Sequence, residues 1–386
     1  MDKSIVSKSP LTSATRKLSR DSNLELFRII TMLLIVAHHY VVNSGLTVQS
    51  SALGQNPLSL KALVLLVFGA WGKVGINCFV LITGYFMCKS QITVKKFLQL
   101  LLEVMFYRIA IYLIFLISGY SSFSLMGLVK LLIPVTEVNK GFTNAFIIFY
   151  LFIPFLGMFV QKLNERNHFY LLLLSFFTYV VLGSFAPVLD IEFNYITWYT
   201  VLFFIASYIR LYPKKLFENT KFWGFATLIC IVLGVGSVIG STFAGTKIGM
   251  WSPYYFLGES NRILAVITGI SAFLFFKNLK IKPNRFINTV AASTFAVLLI
   301  HSNSQAMRTW LWYDTLDVLR FYETNFVYVH AILSVIAIFV VCVCIDYLRI
   351  LLLERPFMKL FDKGFPKIKE KYMKIEKALF KKLNIE

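Results

Sequence analysis

Acidic residues are scarce in this 386-residue chain: 19 Asp and Glu stand against 39 Lys and Arg, a formal net charge of +20. Charged residues of both signs make up only 15%, well short of the roughly 25% of soluble domains, so there is little solvated surface to cover. No polar block is long enough to form a second soluble domain. The five cysteines and five histidines include no CxxC pair and no cluster at zinc-ligand spacing, which argues against a structural zinc site or a disulfide scaffold. Cys78, Cys88, Cys230, Cys342 and Cys344 fall in or beside apolar runs and are expected as free, buried thiols, with no metal bound. No internal repeat is visible, nor a pair of interrupted helices in matching halves of the kind that marks many transporters. The first twenty residues lack the short apolar core and small-residue cleavage site of a signal peptide, and are expected to remain as a tail.

What fills the chain is apolar. Hydrophobic residues make up 58% of it and include 38 phenylalanines, which places it among integral membrane proteins. Windows of membrane-crossing length, roughly 17–25 apolar residues, fall at 24–43, 64–88, 97–118, 143–161, 169–186, 196–212, 222–242, 259–277, 289–304 and 326–350. The sequence therefore predicts an all-α, polytopic membrane protein with about ten transmembrane helices. Most basic residues cluster in alternate connections and in the two tails, whereas the opposite set of loops holds only Lys130, Lys140, Lys247, Arg308 and Arg320. Because Lys and Arg collect on the inner side, both termini are expected in the cytoplasm, and topology rather than nucleic acid accounts for the charge. The expected organisation is a cytoplasmic N-terminal tail over 1–20, a ten-helix membrane domain over 21–358 and a basic cytoplasmic tail over 359–386, suited to anionic headgroups. Two outer stretches, Leu125–Leu132 and the Trp- and Tyr-rich Met250–Tyr255, have interfacial character.

Ionisable groups inside such runs mark where function concentrates. Arg28 and His39 lie eleven residues apart in the first run, within roughly 20° of one helical face and about 16 Å along the axis. Each costs about 2.5–3.5 kcal/mol at bilayer depth, so such groups face a bundle interior or a water-filled path. His39 is the candidate general base, since imidazole exchanges protons near neutral pH; the plainer alternative is a packed histidine bonded to a neighbouring helix. Arg28 suits phosphate, although Glu25 three residues earlier could simply neutralise it. Lys73 lies in Gly72-Lys73-Val74-Gly75, whose glycines permit a close helix approach. His301 ends its run, where a capping role competes with a functional one. Glu103, Arg108, Glu259, Arg262 and Asp346 read as neutralised pairs or snorkelling chains, Glu354 as a surface ion-pair partner, and His168 and His330 as ordinary span-end residues.

Taken in order, these residues resemble the signature of membrane-bound acyltransferase family 3. Glu25-Leu26-Phe27-Arg28, then ten residues and His39, is similar to its first-span motif. Gly72-Lys73-Val74-Gly75-Ile76 and Thr83-Gly84-Tyr85 resemble its second span, with Thr for Ser. The segment from Ser293 to His301 resembles a late Ser-x-Phe-Gly-x-Tyr-Leu-x-His pattern, with Ala296 and Leu298 replacing Gly and Tyr, and Glu354-Arg355-Pro356 resembles its closing Glu-Lys/Arg-Pro. Many members carry Arg-x-Arg near the start of the third span; this chain offers Phe106-Tyr107-Arg108, a single arginine at a different depth. The resemblance runs from about residue 21 to 360 and looks like the short form, without an extra extracytoplasmic hydrolase-like domain, common in Gram-positive bacteria.

The resemblance implies an acyl-CoA-dependent O-acyltransferase of the bacterial cell membrane. Acetyl-CoA is the expected donor, with a hydroxyl of a capsular, exo- or cell-wall polysaccharide, or of its lipid-linked precursor, as acceptor. On this reading the CoA phosphates dock near Arg28, and His39 takes the proton of the glycan hydroxyl or, less favoured, is itself acylated. His301 orients the acceptor or donates to the oxyanion, Glu25, Lys73 and Arg108 support substrate binding, and Glu354 shapes the cytoplasmic mouth. The expected partners are membrane lipids and the glycan or lipid-linked oligosaccharide. Two other classes fit a ten-span chain: a flippase or exporter of lipid-linked glycan, which would release no CoA thiol, and a membrane glycan polymerase, which would need large outer loops rich in Arg and His.

Overall fold

Apolar backbone at membrane depth can satisfy its own hydrogen bonds only as helix, unless neighbouring protein supplies partners. The computed structural model describes residues 21–90, 92–133, 141–185 and 193–382, and among these the chain is all-α, without a strand. The predicted tail over 1–20, Lys140 and the last residues of the 359–386 tail lie outside the described residues. Among the described residues, seven helical segments are long and apolar enough to cross a bilayer: Ser22–Val42, Leu60–Met87, Val94–Ile117, Phe142–Lys162, Glu165–Phe185, Thr220–Ile248 and Val327–Pro366. An eighth is the pair Arg285–His301 and Gln305–Thr315, bent by 95° at its break. Tyr195–Leu211 and Ile263–Asn278 are shorter apolar helices of 17 and 16 residues. Each of the ten apolar windows of the sequence falls on one of these segments, and the chain is a multi-pass membrane protein.

The first helix, Ser22–Val42, and the Leu60–Met87 segment run antiparallel and almost touch. A methyl group on Gly69 would lie 2.6 Å from the Val41 side chain, on Gly72 2.3 Å from the His38 ring, and on Gly75 2.8 Å from the Thr31 carbonyl oxygen. The glycines therefore exist for close approach, which small residues permit between membrane helices. Further contacts define the two ends of the bundle. At one end, here the base, Ser22 Oγ donates to Asn288 Oδ1 and Asn23 Nδ2 to the carbonyls of Phe276 and Lys277. At the other, the mouth, Lys61 Nζ donates to the carbonyls of Tyr322 and Thr324.

The late start of Ile263–Asn278 has a physical cause. Thr220–Ile248 ends at Gly249, whose φ of 70° is the left-handed conformation that closes a helix. The chain then descends into the bundle without helical structure, and Ile263–Asn278 begins only at Ile263. Polar side chains from neighbouring helices satisfy that exposed backbone. Asn77 Nδ2 donates to the Ser260 carbonyl at 2.7 Å and to the Ala265 carbonyl at 3.1 Å, while its Oδ1 accepts the Trp198 indole N–H at 2.9 Å. Ser184 Oγ accepts the Ile263 N–H at 2.9 Å, and the Arg262 guanidinium donates to the Gly183 carbonyl. Large apolar side chains such as Ile117, Phe155, Phe225, Val232 and Leu333 remain exposed on the outer helices, where lipid would cover them.

At the base, Arg349 is buried among carboxylates. Its Nε donates to Asp346 Oδ1 at 2.7 Å and its Nη1 to Glu354 Oε2 at 2.8 Å, with Glu103 Oε1 3.7 Å from Nη2. Tyr107 Oη donates to the same Asp346 oxygen at 2.8 Å. Glu103 and Asp346, read from sequence as neutralised pairs or snorkelling chains, and Glu354, read as a surface ion-pair partner, form one network around a single arginine. Near the start of the last helix, Arg355–Lys382, Asp362 forms an exposed ion pair with Lys95 Nζ at 2.7 Å.

Candidate active site

The sequence places His39 three residues before the C-terminal end of the first helix, where it faces the middle of the bundle near the mouth. His301 ends the Thr294–His301 helix and is fully buried. The two rings meet: His39 Nδ1 lies 2.8 Å from His301 Nε2. On its far side His301 Nδ1 lies 2.5 Å from the Val297 carbonyl oxygen. A carbonyl can only accept, so His301 carries its proton on Nδ1 and presents an unprotonated Nε2. His39 must then donate from Nδ1, which leaves the lone pair on its Nε2. The assignment follows from the hydrogen-bond network of neutral rings, and it leaves His39 with an unprotonated Nε2 and a ring held by His301.

His39 lines a cavity of about 690 Å³ that is walled at the mouth by Val42, Asn43 and the Ser302–Arg308 segment, and descends to Ile35, Ile76 and Val104. Lys73 and Arg108 line it too. Lys73 Nζ donates to Tyr195 Oη at 2.9 Å and lies 3.7 Å from Glu259 Oε2. Arg108 donates to Asn144 Oδ1 at 3.3 Å and to the Lys130 carbonyl at 2.5 Å. With Lys130 and Arg308, four cationic side chains line the cavity and, among the described residues, no carboxylate does. Such a lining attracts negative charge, whether carried by a substrate or developed during reaction.

The structure therefore brings His39, His301, Lys73 and Arg108 together. It sets three predicted residues apart. Arg28 lies about 16 Å down the helix axis from His39, with its Nη1 3.4 Å from both carboxylate oxygens of Glu25. Glu354 belongs to the Arg349 network at the base. Both ring nitrogens of His301 are engaged, Nε2 with His39 and Nδ1 with the Val297 carbonyl.

Residues 21–347 match the family model described as an acyltransferase domain, that of membrane-bound acyltransferase family 3. The chain belongs to this family. No curated protein matches it, and no solved structure does. As a membrane acyltransferase of family 3 it holds further cavity residues that sequence reasoning passed over. His38 lines the cavity beside His39, its ring centroid 5.8 Å away, with Nδ1 donating to the Gly69 carbonyl at 2.6 Å. Arg308, Lys130, Asn144 and Tyr195 join it. Arg308 and Lys130 stood out in the sequence only as rare basic residues of the outer loops, and that rarity was the available signal.

Proposed function

We propose that this acyltransferase carries an acetyl group from acetyl-CoA to a hydroxyl of a surface polysaccharide or its lipid-linked precursor in a bacterial cell membrane. The observation that carries the reading is the His39–His301–Val297 chain of hydrogen bonds, which leaves a basic nitrogen at a cationic cavity. His39 Nε2 takes the proton of the acceptor hydroxyl as its oxygen attacks the thioester carbonyl. The tetrahedral oxyanion forms beside the Lys73 ammonium, an arrangement that favours developing negative charge. Collapse breaks the carbon–sulfur bond, and the departing CoA sulfur receives the proton from His39. His301 accepts from Nδ1 throughout, holding the ring in register and supporting its positive charge, as the third member of a triad does.

Arg28 stands at the base with Glu25, on the side from which a cytosolic donor arrives when both termini are cytoplasmic. There its guanidinium is suited to a CoA phosphate, which accepts paired charge-assisted hydrogen bonds. The cavity at the mouth, on the other side of His39, is the place for the acceptor. The deciding measurement is release of CoA thiol from acetyl-CoA by the purified full chain, together with the O-acetyl content of surface glycan. Wild-type protein is expected to release thiol and His39→Ala to lose this. Normal glycan acetylation with His39→Ala at wild-type protein level would refute the mechanism, and absence of thiol release from wild-type protein would favour a flippase.

A further inference from the structure

Beside the cationic cavity lies a second pocket of about 350 Å³, and the sequence explains its character. Trp251, Tyr254 and Tyr255 follow the helix that ends at Gly249, and Glu259 and Arg262 close the same non-helical stretch. Aromatic residues at a membrane surface commonly form an interfacial belt, but these line a concavity together with an acid and a base. The rings are held. Tyr254 Oη donates to the Leu66 carbonyl at 3.0 Å, and the Arg262 guanidinium sits 5.2 Å from the Tyr255 ring centroid. The Trp251 indole Nε1 is buried without a hydrogen-bond partner, a costly state for a donor.

The pocket adjoins the candidate active site in two ways. Val42 lines both cavities. Glu259, in the wall of the second, is the carboxylate 3.7 Å from Lys73 in the wall of the first. A ligand that fills both must present flat C–H faces to aromatic rings and hydroxyls to a carboxylate and a guanidinium. Sugar rings have that amphipathic form, and aromatic side chains with a polar edge suit such mixed surfaces.

We infer that this pocket is a glycan subsite, holding a sugar ring of the acceptor adjacent to the ring whose hydroxyl reaches His39. The inference rests on the acyl-transfer reading for the His39 cavity and adds that the enzyme reads an oligosaccharide rather than a single sugar. Trp251 and Tyr255 supply the stacking faces, and Glu259 accepts from ring hydroxyls.

The probe is surface glycan of the cell that carries the gene, stripped of O-acetyl groups and cut by mild acid into one-, two- and four-sugar fragments. Binding is measured to the full chain in detergent carrying His39→Ala, and CoA thiol release to the wild type. The two-sugar fragment is expected to bind about tenfold more tightly than the one-sugar fragment, a difference of the size that one aromatic anchor supplies. Adding Trp251→Ala or Tyr255→Ala should bring that ratio close to one, while Trp251→Phe, which keeps a ring, should retain most of it. Melting in detergent identifies any variant that fails to fold, and Tyr255, partly exposed, is the less disruptive of the two sites. A ratio unchanged by Trp251→Ala and Tyr255→Ala, no gain from the second sugar, or no binding of any fragment would overturn the subsite. The expected ladder without thiol release would remove the acyl-transfer reading and leave the subsite standing, whereas thiol release with a flat ladder would do the reverse.

Discussion

At the scale of single residues, His39 has one nitrogen committed to His301 and the other left basic, so the two histidines are not interchangeable. His39→Ala removes the base itself and is expected to lower turnover by about 10²–10⁴-fold, the usual worth of a positioned general base. His301→Ala leaves the base in place but unheld. Its loss should be smaller, and His301→Gln, whose side-chain oxygen can accept from Nδ1, should recover part of it. Equal loss in both His301 variants, read as CoA thiol release at matched protein level, would remove the positioning role. Arg28 is a different case, distant from the cavity and bonded to Glu25. Under the donor reading, Arg28→Ala raises KM for acetyl-CoA about tenfold or more, with a smaller effect on kcat; an unchanged KM would assign the residue to its pair with Glu25 alone.

At the scale of elements, the contact between the first helix and the Leu60–Met87 segment holds the site in shape. Gly72→Ala would push a methyl group into the His38 ring and Gly75→Ala into the Thr31 carbonyl, overpacking that costs about 1–3 kcal/mol where the neighbours cannot yield. Both variants are expected to melt at lower temperature in detergent, and Gly72→Ala to lose activity beyond its loss of stability, since it displaces cavity residues. Helices and their order were legible in the sequence because lipid enforces long apolar runs, and the Arg28–His39 stripe was legible because charge is rare within them. The His39–His301 pairing was not. No local pattern encodes a bond between residues 262 positions apart. Nor did periodicity show that Ile263–Asn278 starts late, because the cause lies in Asn77 and Ser184 on other helices. The sequence sets His38 aside because the helical wheel turns it about 100° from His39, yet the cavity is broad enough to touch both.

At the scale of the whole molecule, the two ends carry opposite chemistry: a cationic cavity at the mouth and a carboxylate-rich network around Arg349 at the base. Removing the sole arginine of that network strands Asp346, Glu103 and Glu354. Arg349→Ala is expected to destabilise the protein by about 3–5 kcal/mol, as breaking a buried ion pair does, visible as a lower melting temperature, while Lys95→Ala at the exposed Asp362 contact should change little. The direction of threading has its own test. With the five native cysteines replaced, Ser122→Cys beyond the Val94–Ile117 helix should react with an impermeant maleimide on intact cells, and Ser90→Cys should not. Labelling of Ser90→Cys alone would invert the topology and, with it, the sides assigned to donor and acceptor.

The span between His39 and His301 also bears on how the enzyme is made. The ribosome delivers the first histidine early and the second only after most of the membrane domain has been threaded. Until the Thr294–His301 helix is inserted, the nascent chain has a lone imidazole with no partner to fix its tautomer. A translation product that stops short of this helix therefore carries the first histidine without the partner that pairs with it.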